Sequence, residues 1–260
     1  MNAHPAWRQQ ILQNSLRALL LLLLCTLALQ IVFVARIALM RVLDPQSTTF
    51  QRSEAWRLLV EKQQIAWSQE WVDHERIAAH LKRAVIASED AGFATHGGVD
   101  WDAIEKAWGR NQKAAERVER QAGRRSAKAQ TAQPPALAKV VGGSTISQQL
   151  AKNLFLSGER TVLRKAQELL LTMTLESLLS KQRILEIYLN NVEWGEGLFG
   201  VQAASRHYFR VDALKLGPEQ AARLAVMLPA PKRFEQRPGS AYVVGRAATI
   251  VARMGAVVLP

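Results

Sequence analysis

The sequence predicts a mostly α-helical protein, with one N-terminal apolar helix followed by a single helical domain. Three observations carry this expectation. From Ala18 to Ala35 the chain runs through 18 uncharged residues dominated by leucine. Beyond that run, apolar residues recur at three- and four-residue spacing, the period of one helix face. Prolines and glycines fall between these periodic stretches, with Pro218 placed to open a helix and Pro229 and Pro231 placed to stop it. No stretch shows the period-two alternation of a strand.

Composition narrows the function classes. A chain of 260 residues holds one mid-sized domain and a short appendage, and 48% hydrophobic residues exclude global disorder. A net charge of +12 and a pI near 10.3 point to a polyanionic partner: nucleic acid, anionic lipid or a phosphorylated substrate. The lone cysteine, Cys25, lies inside the apolar run, so the domain beyond it has neither disulfide nor cysteine chemistry.

As a helix, the run from Ala18 to Ala35 reaches about 27 Å, close to the ~30 Å of a bilayer core. Arg17 and Arg36 bracket it and can snorkel. No small-residue cleavage site follows, which favours a retained anchor over a signal peptide. Arginines on both flanks leave its orientation open. Residues 1–42 are therefore expected to form a stub and transmembrane anchor, and 43–260 the domain. Leu43 to Thr49 reads as an extended linker. A helical stretch with Trp56, Leu59, Val60, Trp67 and Trp71 comes next, for which core packing is the expected role and the membrane interface the alternative. A second helix covers roughly Ile77 to Ala87, and another runs from Val99 to Trp108, with Asp100 as its cap.

Residues 109–139 differ in kind. Eight basic residues against two acidic ones give +6, half the net charge of the whole chain. Large apolar residues are nearly absent, so the segment is expected to be a basic flexible loop. Lying on anionic headgroups suits it better than a nucleic-acid arm, because aromatics are not interleaved with its charges. After it, Gly142-Gly-Ser-Thr-Ile-Ser-Gln-Gln-Leu-Ala-Lys-Asn153 offers a close-approach backbone, Ser144 or Thr145 as helix cap, and Gln148, Gln149, Lys152 and Asn153 along the helix. Three more helices follow, over roughly Thr161 to Ser180, Lys181 to Asn190 and Val201 to Phe209, and the last predicted one starts at Pro218. In the first of them Leu163, Leu170, Met173 and Leu178 form an apolar stripe, and Arg164 and Glu168 lie four apart on one face. Exposed, that pair is worth a few tenths of a kcal/mol. Buried, together with Arg160, it becomes a site for phosphate chemistry.

The densest chemistry lies between Ser88 and Asp100, where Glu89, Asp90, Asp100 and His96 follow the apolar helical run Ala84 to Ala87. A carboxylate at the edge of an apolar segment loses water, which raises its pKa toward the range of a general base. Taken alone, the stretch reads equally well as a polar helix end.

Five stretches then stand in order: Glu89-Asp90-x-x-Phe93-x-x-His96, Gly142 to Asn153, Arg164-Lys165-x-x-Glu168, Ile184-Leu-Glu-x-Tyr-Leu-Asn190 and Leu228-Pro-x-Pro231. Together they resemble the peptidoglycan glycosyltransferases of family 51, of the monofunctional membrane-anchored type, over roughly residues 71–234. The resemblance implies a lysozyme-like α-helical domain with a membrane-associated jaw and no transpeptidase domain. It implies polymerisation of lipid II at the outer face of the bacterial inner membrane, with the N-terminus inside and the catalytic domain on the periplasmic side. Glu89 matches the general base and Glu168 the second family glutamate. Lys152 and Arg160 match cations facing the leaving diphosphate. Asp90, Phe93, His96, Thr145, Gln148, Gln149, Asn153, Arg164 and Lys165 match positions that line or support the cleft. Implied partners are lipid II, undecaprenyl-linked glycan, membrane lipids and proteins of cell division and cell-wall synthesis, with no nucleic acid. No resident cofactor is implied. A divalent cation accompanying the substrate diphosphate is left open, because no ligand cluster with diagnostic spacing stands in the sequence. A glycan-cleaving enzyme is the enzymatic alternative, and a non-catalytic membrane scaffold is the alternative from another class.

Overall fold

The computed structural model describes residues 5–126, 143–159 and 161–260. The first helix, α1 (Pro5–Leu39), is longer than the apolar run that predicts it. Its stretch Gln9–Leu39 is long and apolar enough to cross a membrane. The end of α1 is tied to the domain: Ile37 and Met40 are buried, and Arg183 donates to the carbonyl of Met40 at 2.8 Å. Next comes α2 (Thr49–Lys62), opened by a capping box in which Thr48 and Gln51 each satisfy the other's backbone amide.

The core is built from helices with complementary small and large faces. On α3 (Ala79–Glu89), Leu81, Ala84, Val85 and Ile86 are buried. This helix packs between α9 (Pro218–Met227) and α11 (Ala241–Met254). Ala221, Ala222 and Ala225 on α9 are fully buried, and side chains this small let the helix axes approach closely. Beside them, α7 (Lys181–Asn191) is buried at every position from Ile184 onward. The helices α5 (Ile146–Phe155) and α6 (Val162–Leu178) pack on one another and complete the wall that carries the site. The order is filled out by α8 (Val201–Phe209) and the short α10 (Pro231–Phe234).

Three expectations are corrected. The basic segment 109–139 is not a loop from its start, because α4 (Trp101–Ser126) is one continuous helix through residue 126. Its residues are mostly Ala, Arg, Lys, Gln and Glu, which favour helix without any core to pack on. Asp100 caps it, accepting from the Ala103 amide at 2.8 Å. The rest of the expected loop lies outside the described residues. Core packing fails for the aromatic stretch: Trp56, Leu59 and Val60 on α2 are exposed, and Trp67 stacks on the buried Phe199 at 4.5 Å. Strands also exist. β1 (Ser68–Gln69), β2 (Glu193–Gly195) and β3 (Leu198–Phe199) form a small sheet in the order β1-β3-β2, too short to show any alternation.

The apolar stripe of α6 splits. Leu163, Leu170 and Met173 face outward, while the opposite face buries Glu168, Leu171, Thr172 and Leu175. Gln167 exchanges two 3.1 Å hydrogen bonds with Gln30 of α1. The outward face of α6 therefore continues the apolar surface of α1.

Gly197, in the β2–β3 turn, has φ +70°, and a Cβ there would stand 2.0 Å from the Ala66 carbonyl oxygen. Gly197→Ala is expected to lower stability by about 3 kcal/mol, combining the left-handed strain with the clash. Gly245, exposed inside α11 with open space around it, provides the contrast: Gly245→Ala is expected to raise stability by about 0.5–1 kcal/mol. Thermal unfolding of both variants in detergent checks the pair.

Candidate active site

Glu89 is the last residue of α3, so the apolar helix delivers its carboxylate half-buried at the edge of the core. Gln149, on α5, donates from Nε2 to Glu89 Oε2 at 3.1 Å. The orientation of that amide is fixed from behind, because the buried Tyr188 hydroxyl donates to Gln149 Oε1 at 2.9 Å. Burial pushes the Tyr188 pKa well up, so the phenol remains a donor. Burial likewise raises Glu89 above the usual carboxylate range, with the charge of Asp90 adding to the effect. The hydrogen bonds from Gln149 and Ser88 oppose it in part. The result is a basic carboxylate held in one orientation.

Asp90, the next residue, is buried. Its Oδ2 accepts the Ile146 amide at 3.0 Å, in the first turn of α5. His96 Nδ1 accepts the Gly98 amide at 3.1 Å. The imidazole proton therefore sits on Nε2 and is donated to Asp90 Oδ1 at 2.8 Å. Thr145 caps α5, with Gln148 closing the capping box, and its hydroxyl donates to the Gly98 carbonyl at 2.6 Å. Phe93 is fully buried, and the Lys181 ammonium lies 4.6 Å from its ring centre. Asp90, Phe93, Thr145 and Gln148 are supports that fix where α3 ends and α5 begins. His96 supports in the same way and also lines a cavity of about 490 Å3 beside the root of α4.

Gln149, Lys152 and Asn153 share one face of α5 and line a cleft of about 650 Å3 together with Arg164. Lys152 is exposed to that cleft, yet its ammonium is partly dehydrated. Loss of water lowers its pKa, the charge of Glu168 raises it, and Arg164 and Lys165 lower it further. Glu168 is buried. It accepts from Arg164 Nη1 at 2.9 Å and from the Lys165 ammonium. The buried alternative for this pair is therefore the one realised, with Glu168 aligning two cations at the cleft wall. Arg160 lies outside the described residues. Among the described residues, no group of three or more His, Cys, Asp or Glu is placed to hold a metal ion.

The sequence reading missed two features. Tyr188 stands inside one of the quoted stretches, but its bond to Gln149 crosses between α7 and α5 and leaves no linear signal. Glu193, buried at the start of β2, lines the same cleft with Glu54. Burial pushes it up to about 7, with Lys232 pulling it down and Glu54 pushing it further up. No sequence motif marks it.

Comparison with known proteins places this geometry. A family model described as "Transglycosylase" matches residues 58–255, which hold every site residue described above. A "Biosynthetic peptidoglycan transglycosylase" from Burkholderia lata is 49% identical over 234 residues, covering 90% of this chain and 86% of the relative. Proteins of the same description from Burkholderia orbicola and Burkholderia ambifaria are 48% identical over the same length. The chain belongs to the transglycosylase family.

Proposed function

We propose that this chain is a peptidoglycan glycosyltransferase that extends the glycan of the bacterial cell wall. It transfers the growing glycan from its undecaprenyl diphosphate carrier to the 4-hydroxyl of lipid II, with inversion. The observation that carries this reading is the pairing of a basic, oriented carboxylate at Glu89 with the cations of Lys152, Arg164 and Lys165 around one cleft. Glu89 removes the proton of the acceptor 4-hydroxyl. The oxygen attacks the donor anomeric carbon from the face opposite the carrier, and the bond from that carbon to the phosphate oxygen breaks. The negative charge moves onto the departing undecaprenyl diphosphate, and the proton stays on Glu89. Lys152 is suited to meet that charge, since its lowered pKa reflects repulsion from neighbouring cations that an arriving diphosphate relieves. Glu168 acts as a positioning residue through Arg164 and Lys165. Gln149 joins the two halves of the site: it holds Glu89, and Lys152 lies one helical turn along the same face, about 4.5 Å further in axial rise.

The carrier is a membrane lipid, which accounts for the surface. We place α1 across the inner membrane with its N-terminus inside, and the domain on the periplasmic side at the headgroups. The outward apolar faces of α2 and α6 support this. So does α4, on which Lys106, Arg110, Lys113 and Arg117 are exposed at spacings of four, three and four, a cationic stripe suited to anionic lipid.

Incubation of purified protein with labelled lipid II tests the reaction. Polymer is expected from wild type, whereas shortening of finished glycan without polymerisation would establish the cleaving alternative. Glu89→Gln is expected to lose at least about 100-fold in rate, the contribution of a general base. The same variant is expected to be more stable than wild type at pH 8. A carboxyl whose folded pKa is raised contributes its stability below the unfolded value, near 4.3, and loses it as pH rises through the folded value. The stability difference should therefore close toward pH 4, as read by thermal unfolding. Replacing Lys106, Arg110, Lys113 and Arg117 by Gln is expected to flatten the dependence of activity on anionic lipid content in nanodiscs, and an unchanged dependence would remove α4 from the membrane contact.

A further inference from the structure

Two carboxylates at the far end of the cleft are treated differently by the fold. Glu54 Oε2 receives both Arg57 Nε at 2.9 Å and the Lys232 ammonium. Glu193 is only 6% exposed, yet its Oε1 has no hydrogen-bond donor. The closest cation, Lys232 Nζ, stands 3.5 Å away and is already committed to Glu54. An unmet buried carboxylate oxygen is costly, and this one sits on the wall of a cleft whose other wall carries Lys152 and Arg164. The rest of the Glu193 end is apolar and partly flat, formed by Phe50, Leu228, Pro229 and Pro231.

That combination suits one ligand chemistry. Glu54, Glu159 and Glu193 line this part of the cleft, and their charge keeps a diphosphate at the Lys152–Arg164 end. A sugar ring presents hydroxyl and amide donors at its edge and C–H groups on its face. It therefore matches a carboxylate acceptor flanked by apolar surfaces. We propose that the Glu193 end of the cleft is a subsite for a sugar of the growing glycan beyond the reacting centre, with Glu193 accepting hydrogen bonds from its hydroxyl or amide N–H groups. The proposal rests on the reading that the donor glycan occupies this cleft with its diphosphate on Lys152 and Arg164. The carboxyl titrates near neutrality, under the influence of Lys232, Glu54 and Glu235, and can also donate in its protonated form. Lys232, released from its 3.5 Å approach to Glu193, stays paired with Glu54.

Binding measurements on the full chain in detergent test the subsite without relying on turnover. The probes are a carrier-free peptidoglycan tetrasaccharide and inorganic diphosphate, each followed by intrinsic tryptophan fluorescence. Wild type is expected to bind both. Glu193→Ala is expected to weaken the tetrasaccharide at least tenfold while diphosphate affinity stays within about threefold, which also certifies the fold. Glu193→Gln, which still offers an acceptor, is expected to recover at least half of the loss in binding free energy. Equal tetrasaccharide affinity in wild type and Glu193→Ala would overturn the subsite alone, as would failure of wild type to bind the tetrasaccharide while binding diphosphate. Failure of wild type to bind diphosphate or to polymerise lipid II would overturn the underlying reading, and the subsite with it.

Discussion

The Asp90 carboxylate ties together pieces of chain that are encoded far apart. One oxygen accepts the Ile146 amide and the other accepts the His96 imidazole proton, so the end of α3, the turn after it and the start of α5 are held as one body. Both oxygens are spent on these bonds, which is why Asp90 supports while its neighbour Glu89 is left for chemistry. Release any one of them and the Gln149 amide no longer meets Glu89. The partners around Asp90 reinforce the arrangement: His96 can donate to it only because Gly98 supplies the proton donor at the other ring nitrogen, and Thr145 anchors the Gly98 carbonyl. The site is therefore fixed by a closed set of hydrogen bonds among buried groups, the arrangement that gives a basic carboxylate a single orientation.

A second constraint comes from the substrate's solubility. A lipid-linked donor must reach a cleft from the membrane surface without leaving it. In the proposed arrangement α6 serves both requirements. Arg164 and Glu168 face the cleft, Gln167 meets α1, and Leu163, Leu170 and Met173 face outward. One helix thus carries charge for the diphosphate, contact with the anchor and apolar surface for lipid on three different faces. Its cations are aligned by a glutamate that the same helix buries, so the charge presented to the cleft is organised before a ligand arrives.

Much of this was legible in the residues. Helix starts at Lys181, Val201 and Pro218 follow from caps, glycines and proline. Glu89, Gln149, Lys152 and Glu168 stand in stretches whose order points to the family. What failed to show has physical causes. The α4 helix beyond Trp108 was hidden because it forms through propensity, without the apolar periodicity that signals packing. Periodicity also cannot distinguish a helix face turned to a core from one turned to lipid, and the aromatic stretch of α2 was misassigned for that reason. Tyr188 and Glu193 matter through contacts between elements, and such contacts exist only once the chain is folded.

The account stands on one property, the raised basicity of Glu89. The most direct measurement is the titration of its carboxyl, isolated as the infrared difference between wild type and Glu89→Gln in detergent. The account predicts a midpoint above the ordinary glutamate value near 4.3, moving higher still when the Gln149 hydrogen bond is removed by Gln149→Leu. A midpoint at or below the ordinary value would contradict it, because such a carboxylate is too weak a base for the role.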